Sequence, residues 1–232
     1  MNTVFAVLMI VTSHGVLGDT GKPTGLWFEE LATPYYALRD AGAKVEIVSI
    51  EGGVVPIDPG SRKPEGQNEP SVDRFLKDPE AMAQITRSRP LAEVRAVDYD
   101  AVFLPGGHGT MWDLPASTDL ARQLTAAWAA GKVLAAVCHG PAGLVNVVGT
   151  DGKPLVAGRR VSAFTDSEET AMGLTKVVPF LLETRLRGLG ATIVSGPDFK
   201  PQAVRDGRLV TGQNPASSEA VAHLTLEALR AP

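Results

Sequence analysis

The sequence predicts a doubly wound α/β protein: a mostly parallel sheet flanked by helices, with inserted loops and one β-hairpin. Three observations predict it. Short apolar runs of strand length alternate with amphipathic segments of helical spacing. Two of those runs break directly into glycine-rich turns, at Pro105-Gly106-Gly107-His108-Gly109 and at Cys138-His139-Gly140. Near the C-terminus, Asp206-Gly207 sits between two short apolar runs as a hairpin turn.

Taken in order, Phe5 to Val11 is a buried strand. It has no basic stretch before it and is too short to cross a bilayer, so it reads as core and not as a leader. Leu26, Leu31, Tyr35 and Leu38 give a helix from Leu26 to Ala41, closed by Gly42, and Lys44 to Ile50 returns as a strand. Residues 51–70 are rich in Gly and Pro, an excursion of the kind that builds active-site walls. Ser71 to Ser88 reads as helix interrupted at Pro79, and Ala101 to Leu104 as a short central strand. Leu120 to Ala130 is a helix, Lys132 to Val137 the strand that delivers Cys138, and Gly140 to Val147 the helix that follows. Val177 to Leu189 reads as helix, Thr192 to Ser195 as strand, and Ser217 to Leu229 as the closing helix. No repeat or linker interrupts this, which predicts one domain over residues 1–232.

The chain has 232 residues and is 44% hydrophobic, enough for a substantial core. Its net charge is −4 and its basic residues are scattered, which argues against a nucleic-acid or anionic-membrane partner. A single cysteine excludes an internal disulfide framework and fits a reducing cytoplasm.

That cysteine carries the chemistry. Ala136-Val137-Cys138-His139-Gly140 has the form of a nucleophile elbow, a sharp strand-to-helix turn with small residues two positions either side of the nucleophile. Placed on the first turn of a helix, its sulfur would meet free N–H groups and the helix dipole, so a depressed thiol pKa is expected. The bland reading is a buried structural cysteine. His139 follows the nucleophile directly, and its backbone N–H with that of Gly107 would suit an oxyanion hole. His108 and His14 lie in loops that could border the pocket. His223, on the final amphipathic helix, reads as an ordinary surface or core residue, and Trp27 is the best aromatic candidate for a pocket wall. No set of His, Cys, Asp and Glu has the spacing of a metal site, and no cofactor is expected.

Four segments together resemble the ThiJ/PfpI superfamily, whose fold is flavodoxin-like and class I glutamine amidotransferase-like. They are Pro105-Gly106-Gly107-His108-Gly109, Ala136 to Pro141, Phe164-Thr165-Asp166-Ser167-Glu168-Glu169, and Val210 to Pro215. Gly25-Leu26-Trp27-Phe28-Glu29-Glu30 and the long excursion are similar to the branch of heat-shock-type glyoxalase III proteins, also called D-lactate dehydratases. The resemblance implies a cysteine nucleophile at Cys138, a histidine at His139, Glu30 reaching the sulfur from the first helix and Glu169 orienting the histidine. Gly106, His108, Trp27 and His14 would border the substrate. It further implies a small 2-oxoaldehyde substrate and a homodimer. A carboxyl beside the sulfur helps only when protonated, so Glu30 should have a raised pKa.

Three classes remain open on the residues alone. The first is a glutathione-independent glyoxalase. The second is a cysteine amidase or peptidase, although the later His-x-Glu pair of the amidotransferases is missing, since His223 precedes Leu224-Thr225. The third is a stress chaperone or redox sensor built on the same cysteine.

Overall fold

The computed structural model describes residues 4–231. Its main sheet has seven strands: β1 (Ala6–Val11), β2 (Lys44–Ser49), β3 (Arg89–Pro90), β4 (Ala101–Leu104), β5 (Val133–Val137), β8 (Ala203–Asp206) and β9 (Leu209–Gly212). They run in the order β3-β2-β1-β4-β5-β9-β8, and all neighbours are parallel except the β8–β9 hairpin. A small separate sheet pairs β6 (Arg160–Val161) with β7 (Thr192–Ile193). The predicted fold class and hairpin are both observed.

Alternation along the buried strands explains the layers, because successive side chains enter opposite faces. Leu8, Ile10, Val102, Leu104, Leu134 and Ala136 face one cluster, which includes residues of α4 (Thr110–Ala116), α5 (Thr118–Ala129) and α7 (Leu182–Gly188). Val7, Met9, Val11, Phe103, Ala135 and Val137 face the other. There α1 (Phe28–Asp40), α2 (Pro70–Leu76), α3 (Pro79–Thr86) and α8 (Ser218–Arg230) bring Leu31, Tyr35, Phe75, Ile85 and Val221.

Differences from the expected elements have local causes. The helix expected over residues 71–88 is two helices, because Asp78 accepts from the N–H groups of Glu80 and Ala81 and caps a new start at Pro79. The helix expected from Gly140 to Val147 is only a 3-10 stretch over Gly140–Leu144. The helix expected from Val177 starts at Leu182, after Pro179, and the strand from Thr192 ends at Ile193. α4 was not anticipated, since Pro115 near its end masks the pattern.

The chain lays down β1, β2 and β3 outward from the middle of the sheet, then returns to place β4 and β5 on the other side of β1. Strand order therefore reverses between β1 and β4, and in such sheets the crevice beyond the carboxyl ends at that point is where ligands bind. The Gly106-Gly107 turn and Cys138 follow β4 and β5 there.

Candidate active site

Cys138 has φ +60°, a left-handed conformation strained for any residue with a side chain, at a cost of about 1–3 kcal/mol. The surrounding structure imposes it. Cys138 N–H donates to the Gly212 carbonyl (2.9 Å), and its own carbonyl accepts from Phe164 N–H (2.9 Å). Gly140 has no room for a Cβ, which would collide with the Leu104 carbonyl. The elbow geometry expected from the small residues is present.

The Gly106-Gly107 turn meets the start of α1. A Cβ at Gly106 would lie 2.6 Å from Glu30 Oε2 and 2.7 Å from the His139 amide nitrogen, and one at Gly107 (φ +97°) would strike Trp27 N. Glycines here let three segments converge. Gly106 N–H donates to Glu30 Oε2 (2.7 Å), while Trp27 N–H donates to the Gly106 carbonyl (3.2 Å). Glu30 Oε1 is buried without a well-formed hydrogen bond, and the Cys138 thiol is the side chain that pulls against the rise of its pKa. Among the described residues, the Gly107 and His139 amides take no part in the hydrogen bonds that hold the turns together.

Behind the sulfur stands a second polar chain. His139 Nδ1 lies 3.3 Å from Cys138 Sγ, and its Nε2 lies 2.8 Å from Glu169 Oε2. The other carboxylate oxygen, Oε1, lies 2.9 Å from His108 Nε2. A carboxylate can only accept, so both imidazoles present Nε2–H to Glu169. With Nε2 protonated, neutral His139 turns a lone pair on Nδ1 toward the thiol. All of these groups are buried: Glu30, Cys138, His139 and Glu169 are each at most 3% exposed.

Burial sets the protonation states, and here one expectation is corrected. Desolvation pushes the Cys138 thiol up, and the Glu30 carboxylate adds to the rise, so the depressed pKa predicted from a helix dipole is absent. The 3-10 stretch that replaces the helix offers little dipole against complete burial. Glu30 is likewise raised by burial, against the opposing pull of Cys138 and Gly106 N–H, as its predicted role requires. Both groups are therefore held toward their protonated, uncharged forms. Burial lowers His139 to about 4, assisted by the adjacent His108. Burial would raise Glu169, but hydrogen bonds from His108 and His139 outweigh it and bring the group down to about 2. At neutral pH the chain is therefore thiol, neutral imidazole and carboxylate.

The sulfur opens on a cavity of about 130 Å³, lined by Trp27, Gly107, His108, His139, Phe164, Met172, Phe199 and Pro215 with Cys138. Trp27 and His108 border it. Gly106 lies beneath it, where it anchors Glu30. His14 does not line it: its ring stacks on Trp112 (centroids 5.1 Å apart) and its Nε2 meets the Val16 carbonyl (2.6 Å). The excursion over residues 51–70 also stays outside. Leu26 N–H donates to Pro56 and Asp58 N–H to Leu26, so the excursion lies behind Trp27 and not in the cavity. His223 is an exposed helix residue near Glu219 (3.7 Å). Three residues that share no ligand spacing along the sequence meet in the fold. His108, His139 and Glu169 bring ligand atoms within 4.8 Å of one another. A cation there would have to displace the protons of both imidazole–carboxylate hydrogen bonds.

Two contributors escaped the sequence reading. Glu168, wholly buried, forms the capping box of α6 (Asp166–Ala171) with Thr165. Its Oε1 also accepts from Phe199 N–H (2.7 Å) and Asn214 Nδ2 (2.8 Å). Phe199 is the other positive-φ residue besides the glycines and Cys138 among the described residues, at +58°. A phenylalanine carries no sequence signal for such a conformation.

Known proteins share this arrangement of chain. The chain is 34% identical, over 97% of its length and 98% of the relative's, to a glutathione-independent glyoxalase of Saccharomyces cerevisiae. It is 33% identical to one of Schizosaccharomyces pombe, covering 95% and 94% of the two chains. A solved structure of glyoxalase III from Candida albicans superposes with a TM-score of 0.87 at 29% identity, over 97% of both chains. The 24 kDa rapid encystment protein of Francisella tularensis superposes with a TM-score of 0.93 at 37% identity, over 98% of this chain and 100% of that one. The DJ-1/PfpI family profile matches residues 28–228, and the chain belongs to that family.

Proposed function

We propose that the protein is a cofactor-independent glyoxalase III, a hydro-lyase of the D-lactate dehydratase type, converting methylglyoxal to D-lactate in carbonyl-stress detoxification. One observation carries the reading: a buried carboxyl that holds or yields a proton, beside a thiol whose other side faces a neutral imidazole, at the floor of a small apolar cavity. Names of relatives support it, since several are glutathione-independent glyoxalases over nearly the whole chain. We extend the reading to a single domain over residues 1–232, a cytoplasmic setting and a homodimer.

The steps balance within these groups. Cys138 Sγ attacks the aldehyde carbon as its proton passes to His139 Nδ1, and Glu169 stabilises the imidazolium. The aldehyde oxygen, held by the Gly107 and His139 N–H groups, takes that proton to give a hemithioacetal. His139 then removes the C1 proton while neutral Glu30 protonates the C2 oxygen, giving an enediol. The Glu30 carboxylate takes the C1 hydroxyl proton and His139 returns its proton to C2. C1 is thereby oxidised to a thioester and C2 reduced to an alcohol, with no external oxidant. Water activated by His139 cleaves the C–S bond, and the thiol regains its proton. A cavity of about 130 Å³ suits a molecule of a few heavy atoms and disfavours a peptide or protein substrate.

The test is consumption of methylglyoxal by purified protein without glutathione, with D-lactate read enzymatically. The wild type should form D-lactate and Cys138→Ala none. Absence of product from the wild type overturns the proposal.

A further inference from the structure

The mouth of the cavity carries a phenylalanine where a turn calls for glycine. Lys200 N–H donates to the Pro197 carbonyl (3.1 Å), which closes a turn with Phe199 at its third position and φ +58°. Glycine or asparagine is the ordinary occupant of such a position, and a bulky residue there is a true outlier. The conformation is pinned from the protein side. Glu168 Oε1 accepts from Phe199 N–H (2.7 Å), Asn214 Nδ2 ties the same oxygen to the Lys200 carbonyl (2.9 Å), and Ser167 Oγ donates to Asp198 Oδ1 (2.7 Å). The side chain is only about half covered in return. Phe199 is 46% exposed, with its ring 6.3 Å from that of Phe164, and it forms the outer wall of the cavity together with Met172, 48% exposed. Strain retained for so partial a burial, at the mouth of the cavity, points to a function for the side chain.

We infer that Phe199 sets the substrate size limit, its ring walling the cavity above Cys138 so that 2-oxoaldehydes with a methyl-sized substituent enter and those with an aryl or branched substituent are turned away. The substrate class rests on the proposed glyoxalase reading, whereas the wall itself does not. Glycine at this position keeps the turn and removes only the ring. Alanine removes the ring but keeps the unfavourable φ.

The experiment compares wild type, Phe199→Gly and Phe199→Ala in two assays. In the first, kcat/KM is measured for methylglyoxal and phenylglyoxal. Phe199→Gly should raise the phenylglyoxal to methylglyoxal ratio at least tenfold, the scale on which pocket walls discriminate apolar groups. In the second, Cys138, as the chain's one cysteine, is alkylated with iodoacetamide or with N-phenylmaleimide and followed by mass spectrometry. The rate ratio should shift toward the bulky reagent by a similar factor. A shift in alkylation with no aldehyde turnover in any variant removes the glyoxalase reading and leaves the wall standing. Both ratios unchanged within twofold overturn the inference. Thermal unfolding supplies the third readout: Phe199→Gly should melt at or above Phe199→Ala, and the reverse order would show that the positive φ is not held.

Discussion

Two glutamate pairs open two helices of this protein, and they end in opposite chemical states. Glu29-Glu30 lies in the first turn of α1, and Glu168-Glu169 in the first turn of α6. One member of each pair reaches the cysteine site. Glu30 meets one backbone N–H and a thiol, neither of which repays the loss of water, so it is held toward the neutral acid. Glu169 is also closed to solvent, though less deeply enclosed, and it receives two imidazole N–H groups and stays a carboxylate. The difference teaches that partners and enclosure, not position on a helix, decide whether a buried glutamate can donate a proton or can hold a histidine in place.

The largest effect should come from the ionised member. Glu169→Gln keeps the shape but cannot accept from both imidazoles, so one ring must turn or lose its partner. Turnover in the proposed glyoxalase reaction should fall by roughly 10³- to 10⁴-fold, the scale seen when a triad carboxylate becomes an amide. Its stability effect has a defined sign. With a folded pKa near 2 against 4.5, Glu169 stabilises the fold above the unfolded value by about 3 kcal/mol, and loses this as pH falls toward 2. His139, lowered to about 4, adds loss of stability as pH falls from 6.5. Urea unfolding from pH 7 to pH 3 should show both in the wild type. A Glu169→Gln profile that matches it would break the comparison.

Glu30→Gln should cost less, roughly 10²- to 10³-fold in turnover, the range of a positioned general acid. Gly106 N–H still finds an oxygen, and the amide cannot deliver a proton. Here the stability sign reverses. A raised folded pKa gives stability fully present below the unfolded pKa and lost as pH rises toward the folded one. The variant should therefore gain on the wild type as pH rises from about 4.3, measured by urea unfolding at pH 4, 6 and 8. A variant that loses ground at pH 8 would mean that Glu30 is ionised in the folded protein.

The contrast between the pairs was only half legible in the sequence. Strands such as Val133–Val137 were readable because both sides of each are buried, so the apolar run is unbroken. The elbow was readable because backbone crowding at Gly140 admits so few residues. Long-range partners were not. His108 meets Glu169 across 61 residues, and nothing local to either announces the other. The thiol pKa is illegible for a related reason: the sequence suggests a helix terminus, whereas the chain forms only a 3-10 turn over Gly140–Leu144, and desolvation is a property of the whole fold. Phe199 was invisible because its conformation runs against its own preference.

Glu168 separates anchoring from chemistry within one pair. Glu168→Ala strips partners from Phe199 N–H, Asn214 Nδ2 and the Thr165 cap at once, and should destabilise by about 2–4 kcal/mol in urea unfolding. Activity at a temperature where the variant remains folded should fall less than tenfold. A loss as large as that of Glu169→Gln would mean that the two neighbours act as one unit.

The smallest effect belongs to Glu29, and it bears most directly on the comparison because it shares sequence, helix and turn with Glu30. Burial raises its pKa to about 7, with Glu69 adding to the rise and the Trp27 side chain and Lys63 opposing it. By pKa alone it resembles a proton donor at neutral pH. Its position denies it that role, for it borders a separate hollow with Gly60, Ser61 and Asn68, behind Trp27, and is absent from the walls around Cys138. Glu29→Gln should leave kcat within twofold and stability within about 0.5 kcal/mol at pH 6, the range of substitutions that touch no buried network. Any trace it leaves should pass through Trp27, as a small change in KM that disappears below pH 6, where both side chains are uncharged. A Glu29→Gln enzyme as impaired as Glu30→Gln would exchange the roles of the pair, and would make titration, not placement, the property that selects the acid.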